Sequence, residues 1–310
     1  MLRSMYSGIS GMKNFQTKLD VIGNNIANVN TFGFKKGRVV FKDMINQSIA
    51  GASSPTGTRG GVNAKQVGLG STLATIDTVH NGGSTQTTNR VLDLAIAGDG
   101  FFQVASSNLE DATDPLSFDG FNNIQYTRAG NFYFDKQGFM VNGDGQFLVG
   151  FAATPTDVAD STTFPTPDSI SFTTVDIASP PTGTEYKPIR IPTDAKSMSI
   201  GKDGTITFVD AAGSLKLAGK IIMAKFPNSG GLEKSGNNTF QETNNSGAAT
   251  LDFAGNSGIG TTESGALEMS NVDLSEEFTE MIVAQRGFQA NTKIITTSDE
   301  ILQELVNLKR

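Results

Sequence analysis

The chain has 310 residues, room for one large domain or two or three small ones, with 35 glycines, a single histidine and no cysteine. Such a composition excludes the usual zinc, iron–sulfur and haem ligand sets, and no cofactor is expected. A net charge of −7 argues against nucleic acid as a partner, and no apolar run approaches the roughly 20 residues that span a bilayer, so membrane insertion is not expected either.

The first predicted element is a helix over residues 2–29. Its apolar positions are Leu2, Met5, Ile9, Met12, Phe15, Leu19, Ile22, Ile26 and Val29. They recur every three or four residues, a heptad-like seam with one slip near Met12–Phe15. Such a helix is about 40 Å long. Gly8, Gly11 and Gly23 each weaken it by about 1 kcal/mol relative to alanine, so it needs a partner. The opening MLRSMYSGISGM lacks the continuous apolar core of a cleavable signal peptide.

Residues 31–72 read as an irregular connector with room for one hairpin, since TFGFKKGRVVFKDM is basic and aromatic and GASSPTGTRGGVNAK is rich in turn formers. From residue 73 the period becomes two. VLDLAIA places Leu92, Leu94 and Ile96 on one face, GDG reads as a turn, and FFQV reads as its return strand. NFYF, DKQG and FMV repeat the form, as do NGDG before QFLVG and GKDG between SMSI and TITFV. Short strands joined by glycine turns define an antiparallel β-rich domain over 73–150 and 188–262. Residues 151–187, rich in Pro, Thr, Ser and Asp, read as an inserted loop or small outer excursion. A second turn-rich loop spans 227–265, and the connector returns at about 263–273.

The last predicted element is a helix from 274. Leu274, Met281, Phe288, Ile295 and Leu302 recur every seven residues. The alternate seam positions Phe278, Gln285, Thr292, Asp299 and Val306 are mostly polar, and Ile294, Ile301, Leu305 and Leu308 form a second stripe. Asp273 or Ser275 suits the N-cap, with Glu276 and Glu277 in the first turn and Lys309 and Arg310 at the other end, all with the sign the helix dipole favours. The expected fold is α+β: an antiparallel β-rich body whose long N- and C-terminal helices, 1–30 and 274–310, pair into a coiled-coil-like rod. Charge agrees with that pairing. Residues 1–42 carry seven basic side chains against Asp20, a net +6, and residues 263–310 carry nine acidic side chains against four basic ones, a net −5.

Catalytic constellations are not evident. A lone His80, beside the turn Asn81-Gly82-Gly83, reads as a surface residue and gives no Ser-His-Asp triad. Ser10-Gly11-Met12-Lys13 matches S-x-x-K without its companion motifs, and NGDG and GKDG lack the spacing of a calcium loop. An enzyme is not expected; a subunit that stacks is.

SGISGM (7–12) followed by LDVIGNNIANVNTFGFK (19–35) resembles the signature of bacterial flagellar rod and hook proteins. The motif falls on Asn24, Asn25, Ala27, Asn28, Gly33, Phe34 and Lys35. LDLAIAGDGFFQV (92–104), YTRAGNFYFDKQGFMV (126–141) and the stretch 267–310 are similar to later blocks of the same family, in the same order, and together cover about half of the chain. Within the family, QELVNLKR and AQRGFQANTKIITTSDEIL look hook-like, although the insert at 151–187 is shorter than the outer domain many hook proteins carry there. The distal rod protein is the alternative, and a secreted β-rich adhesin a remote one.

The resemblance implies a structural subunit that polymerises into the hook, the flexible tube that transmits torque from rod to filament. It implies a homopolymer with distal rod, hook cap and hook–filament junction proteins as partners. The terminal helices would line the inner tube and the β domain its outer wall. It also implies signal-less passage through the flagellar type III export apparatus to an extracellular position. Phe15 and Leu19 match an export-recognition element of the family, and serve equally as two neighbouring seam residues. The self-assembly seam expected on this basis comprises Leu2, Met5, Ile9, Met12, Phe15, Leu19, Ile22, Ile26, Leu274, Phe278, Met281, Phe288, Ile295, Leu302 and Leu305.

Overall fold

The structure, a computed structural model, describes residues 2–107, 121–152 and 186–308, apart from the side chains of Leu2 and Ser107. Most of the insert read at 151–187, together with Lys309 and Arg310, lies outside the described residues. Two long helices, one near each end, and a large antiparallel β-rich body make the fold α+β. The chain divides into a helical unit, Met1–Val29, Lys36–Val79 and Val272–Arg310, and a β-rich unit, Asn30–Lys35 and His80–Asn271.

In the helical unit, α1 spans Leu2–Ala27 and α2 spans Leu274–Asn307. At the end of α1 the Asn28 amide donates to both Asn24 O and Asn25 O, and its side chain folds back onto Asn24. Helix α2 starts at Asp273, whose carboxylate accepts from the amides of Ser275 and Glu276 and so satisfies two of the free donors of the first turn.

Segment 31–72 is more regular than its sequence suggests. Strand β1 (Gly37–Asp43) pairs antiparallel with β4 (Ser71–Thr78), and β2 (Asn46–Ala50) pairs with β3 (Lys65–Gly68). The alternation in β1 is masked in sequence because Lys36, Arg38 and Lys42 surround its short apolar run. The β2–β3 ribbon is exposed along its whole length and continues outward through the bridges Ser53–Val62 and Thr56–Arg59.

The β-rich unit is built on a sheet of twelve strands among the described residues. Its strands, in chain order, are β5 (Thr85–Thr87), β6 (Leu94–Ala97), β7 (Phe101–Ser107), β8 (Phe121–Thr127), β9 (Tyr133–Phe134), β10 (Met140–Val141), β11 (Phe147–Ala152), β12 (Lys187–Pro188), β13 (Ser197–Ile200), β14 (Thr205–Val209), β15 (Leu215–Lys225), β16 (Glu233–Gly236), β17 (Thr239–Gln241), β18 (Thr250–Phe253), β19 (Thr261–Ser264) and β20 (Ala266–Glu268). The main path of the large sheet runs β13-β14-β15-β11-β7-β8-β17-β16, while β19 pairs with β6 and β20 with β5. The core gathers Leu94, Phe102, Val104, Phe132, Met140, Leu148, Ile189, Ile206, Phe208 and Ile221, all essentially without solvent contact. The glycine turns join hairpins as expected at β9–β10, β10–β11 and β13–β14.

The turn at GDG does not. Strands β6 and β7 are not partners: β6 pairs with β19, and β7 with β8, β11 and β15. Ala95 is as buried as Leu94, so the apparent alternation in VLDLAIA does not mark a solvent face, and each strand is free to take a distant partner. Gly98, with φ of +120°, lets the chain turn where an added Cβ would lie 2.9 Å from Gly260 Cα.

Candidate functional site

The residues expected to mediate assembly lie on α1 and α2, which pack on each other through small and polar groups. An added Cβ on Gly8 would meet Ile295 at 3.3 Å, on Gly11 the Asn291 amide at 2.9 Å, and on Gly287 the Phe15 ring at 2.5 Å. The glycines that lower helix propensity therefore allow close approach, except Gly23, which faces open space. On α2 the buried residues are Glu277, Ala284 and Ser298, with Asn291 partly buried between them. This line lies one residue before the alternate seam read from sequence, and Phe278, Gln285, Thr292, Asp299 and Val306 are exposed instead. Close approach favours the small or polar side chain over the aromatic one.

The remaining expected seam residues divide in two. Ile22 is buried; Met5, Met12, Phe15, Leu19, Ile26, Met281, Phe288, Ile295 and Leu302 are partly buried. Ile9, Leu274, Phe278 and Leu305 are exposed, and Ile282, Val283, Ile294, Ile301, Val306 and Leu308 join them. Phe278 keeps 50% of its accessible surface and Val306 68%. Except for Ile9, these exposed apolar side chains lie along α2 or at its end, a candidate contact surface.

Polar contacts hold the two helices together at one end. Asn25, only 2% exposed, donates from its side chain to Gly37 O and to Glu277 Oε2, and accepts from the Gly37 amide. One amide thus joins α1, β1 and α2. Burial raises the Glu277 carboxyl above its ordinary value, against the pull of the Asn25 bond and of Lys36. Lys18 pairs with Glu280 at 3.0 Å and Lys36 with Glu276 at 2.8 Å, so opposite charges of the two ends meet within one chain.

The remaining motif residues sit in the β-rich unit. Gly33, at φ of +69°, donates its amide to Glu268 O, and an added Cβ would lie 2.6 Å from the Ala129 nitrogen. Lys35 is fully buried and reaches Glu268 at 2.5 Å and Asn81 O at 2.7 Å. The other Glu268 oxygen accepts from Arg128 at 3.1 Å, and the Gly83 amide adds a further bond. Burial pushes the Glu268 carboxyl up, but Arg128, Lys35 and the Gly83 amide outweigh it and hold it below the ordinary carboxylate range. Burial also pulls the Lys35 ammonium down, against the attraction of Glu268. Sequence reading marked Lys35 but missed Arg128 and Glu268 as its partners.

His80 is not a surface residue. Its ring lies 5.7 Å from that of Phe101 and 5.4 Å from that of Phe240. A cavity of about 350 Å³ elsewhere in the same unit has Phe134, Asp135, Ile191, Lys196 and Met198 in its lining. Its one carboxylate accepts from two turn amides and its one amine donates to Ala211 O, so both are committed to local structure. Among the described residues no three metal-ligating side chains cluster, and no helix is long and apolar enough to cross a membrane.

Comparison with known proteins gives consistent matches. Residues 5–35 match the family model of flagella basal body rod proteins, 95–208 that of the flagellar hook protein FlgE/F/G D1 domain, and 263–308 that of the flagellar basal body rod FlgEFG protein C-terminal region. The chain is 54% identical over 311 residues to the flagellar basal-body rod protein FlgG of Bacillus subtilis, covering all of both chains. It is 33% identical to the FlgG of Borreliella burgdorferi over 312 residues, again covering both in full. The flagellar hook protein FlgE of Borreliella burgdorferi is also 33% identical and fully covered, but that alignment runs to 455 positions.

Proposed function

We propose that this chain, which belongs to the family of flagellar basal-body rod and hook proteins, is the subunit of the distal rod, the straight shaft that carries torque out to the hook. The observation that carries the reading is the 54% identity to a rod protein with full coverage of both chains. A hook relative instead needs an alignment of 455 positions against 310 residues here, so it has segments without a counterpart in this chain. The hook-like look of QELVNLKR and of the block before it gives way to that match of length and identity, and the adhesin reading gives way to the family.

The role is structural rather than enzymatic, and the product is a homopolymer. The exposed apolar side chains of α2 support this: Phe278, Ile282, Val283, Ile301 and Val306 gain most when copies of the chain cover them. In the polymer the terminal helices form coiled-coil-like contacts between subunits, the expected seam residues being part of them. The export apparatus and the neighbouring axial proteins are the other partners, and Phe15–Leu19 remains the candidate export element.

An epitope placed after Ala212, in the exposed turn between β14 and β15, tests the assignment. Electron microscopy of labelled hook–basal bodies is expected to show antibody on the straight shaft; antibody along the curved segment overturns the rod reading in favour of the hook. Val306→Asp with Ile282→Asp tests the contact surface. Both side chains are exposed, so the monomer is expected to fold normally while polymerisation fails. Normal polymers from that variant would remove α2 from the subunit interface.

A further inference from the structure

The chain has one histidine, and it lies where the chain passes from the helical unit into the β-rich unit, between Val79 and Asn81. Both ring nitrogens of His80 are sealed from solvent, and neither has a hydrogen-bond partner among the described residues. The ring is held by Phe101 and Phe240. Three cations bear on it: Lys35, Arg128 and Lys234. Asp99 and Lys225 line, with His80 and Arg128, an adjoining cavity of about 80 Å³. Of the two carboxylates nearby, Glu268 is committed to Lys35 and Arg128, and Asp99 lines the cavity without offsetting the three cations at His80. Lys234 donates to Lys35 O while its ammonium lies 4.7 Å from the Phe34 ring centroid.

The same residues hold three separate stretches of chain together. Gly33 bonds Glu268 O, Lys35 bonds Asn81 O, Gly83 bonds the Glu268 carboxylate, Met269 bonds Ser84 O and Asn271 bonds Phe34 O. Residues 30–35, 80–84 and 268–271 therefore form one clasp, and each stretch ends where the chain crosses into the helical unit.

We propose that His80 is an acid-sensitive release for this clasp: neutral, its ring packs between two phenylalanines; protonated, it adds a charge with no hydrogen-bond partner in place among three cations, and the three stretches come loose before the β-rich core unfolds. Burial, aided by Lys35, Arg128 and Lys234, holds the imidazole at about 4 against its ordinary 6.5, in keeping with that geometry. Glu268 also titrates in acid, its carboxyl being held below the ordinary range by Arg128, Lys35 and the Gly83 amide against burial, so replacing His80 alone is what separates the two groups. The inference concerns the β-rich unit alone and stands independently of the rod assignment.

A single histidine makes the test direct, since the imidazole resonance of the full chain is unambiguous by NMR. It is expected to stay in its neutral form well below pH 6 and then to protonate together with a loss of amide protection confined to 30–35, 80–84 and 268–271. Exchange is measured from pH 7 to about pH 2.5 and corrected for its intrinsic pH dependence. His80→Phe keeps an aromatic ring between Phe101 and Phe240, and the variant is expected to hold its protection to a pH at least one unit lower. Protonation near 6.5 without any change in exchange overturns the proposal in the wild-type chain alone, whatever the variant does. So does loss of protection at the same pH in both proteins.

Discussion

The two units solve the problem of burial in opposite ways. The β-rich unit surrounds Phe102, Phe132, Phe208 and their neighbours completely, and it even encloses a lysine, a glutamate and an arginine by pairing them. The helical unit buries little of its apolar surface: Ile22 and Ala284 are covered, while Phe278, Ile282, Val283 and Val306 stand in water. A domain that is complete alone pairs nearly all of its buried polar groups internally, His80 being one exception here. A domain whose aliphatic side chains remain exposed is expected, on the proposed function, to be covered by other copies of the chain. One chain thus carries a self-sufficient body and an unfinished pair of helices, which is the division of labour expected of a polymer subunit.

The sharpest way to break this comparison is to remove a partner from the buried charge cluster. Glu268→Ala leaves Lys35 and Arg128 as uncompensated buried cations, a loss of about 3–5 kcal/mol for a buried pair. Urea unfolding of the β-rich unit is expected to shift by that amount while the helical signal at 222 nm keeps its own transition. A loss below about 1 kcal/mol would show that the cluster is solvated in solution and that the β-rich unit is less closed than described.

Acid tests the same closure with a somewhat smaller effect. The folded value of His80, about 4, lies below its ordinary 6.5, so between these values the unfolded chain binds more protons and stability rises with pH. The contribution is complete above about 6.5 and declines as pH falls towards 4, on the order of 3 kcal/mol across the window. Glu268 contributes separately: its folded value is depressed, so its contribution is present above the unfolded carboxyl value and is lost as pH falls through the folded one. Denaturant titrations at several pH values are expected to show a decline of which His80→Phe abolishes one part and leaves the carboxylate part in place. A flat wild-type profile from pH 6.5 to 4.5 contradicts the burial of the histidine.

Much of this contrast was legible in the sequence, and the parts that were not share a cause. The helices announced themselves by three- and four-residue spacing, and Asp273 by its place before Ser275, Glu276 and Glu277. Hairpins such as β13–β14 were marked by glycine turns between alternating strands. Where both faces of a strand are buried, alternation carries no information, and β6 and β7 were wrongly joined for that reason. The helix contact was displaced by one residue because Ala284, Asn291 and Ser298 have no apolar signature; what selects them is the closeness that Gly8, Gly11 and Gly287 permit. Lys35 stood out within a motif, but its partners Arg128 and Glu268 lie 93 and 233 residues away, and no local pattern links them. His80 looked like a turn residue because its aromatic neighbours arrive from β7 and β17.

The helical unit can be broken at its closest contact. Gly287→Val adds a Cβ that would sit 2.5 Å from the Phe15 ring, so either the ring must turn or the helices must separate. Overpacking of that kind costs about 1–3 kcal/mol. The variant is expected to lower the melting temperature of the helical signal and to leave unfolding of the β-rich unit unchanged. Phe15→Ala in the same chain should recover part of the loss by emptying the space. A Gly287→Val protein that melts like the wild type would mean that α1 and α2 are not held at this distance in the monomer.

The smallest effect belongs to charge, and it sharpens the comparison rather than breaking it. Lys18–Glu280 and Lys36–Glu276 join the basic and acidic ends, but both glutamates are about half exposed, and exposed pairs contribute only about 0–1 kcal/mol. The buried Lys35–Glu268 pair is of the same composition with the solvent removed. Lys18→Glu is therefore expected to reduce the stability of the helical unit by less than about 1 kcal/mol at low salt, and by less still at high salt. Glu280→Lys in the same chain reverses the pair and should restore most of it. The cycle is read from thermal melts of the helical signal in monomer and, separately, from the critical concentration for polymerisation. Recovery in the melts alone assigns the pair to the fold of one chain. Recovery in polymerisation alone, with no coupling in the monomer, would place the complementary charges between subunits and overturn the intramolecular pairing seen here.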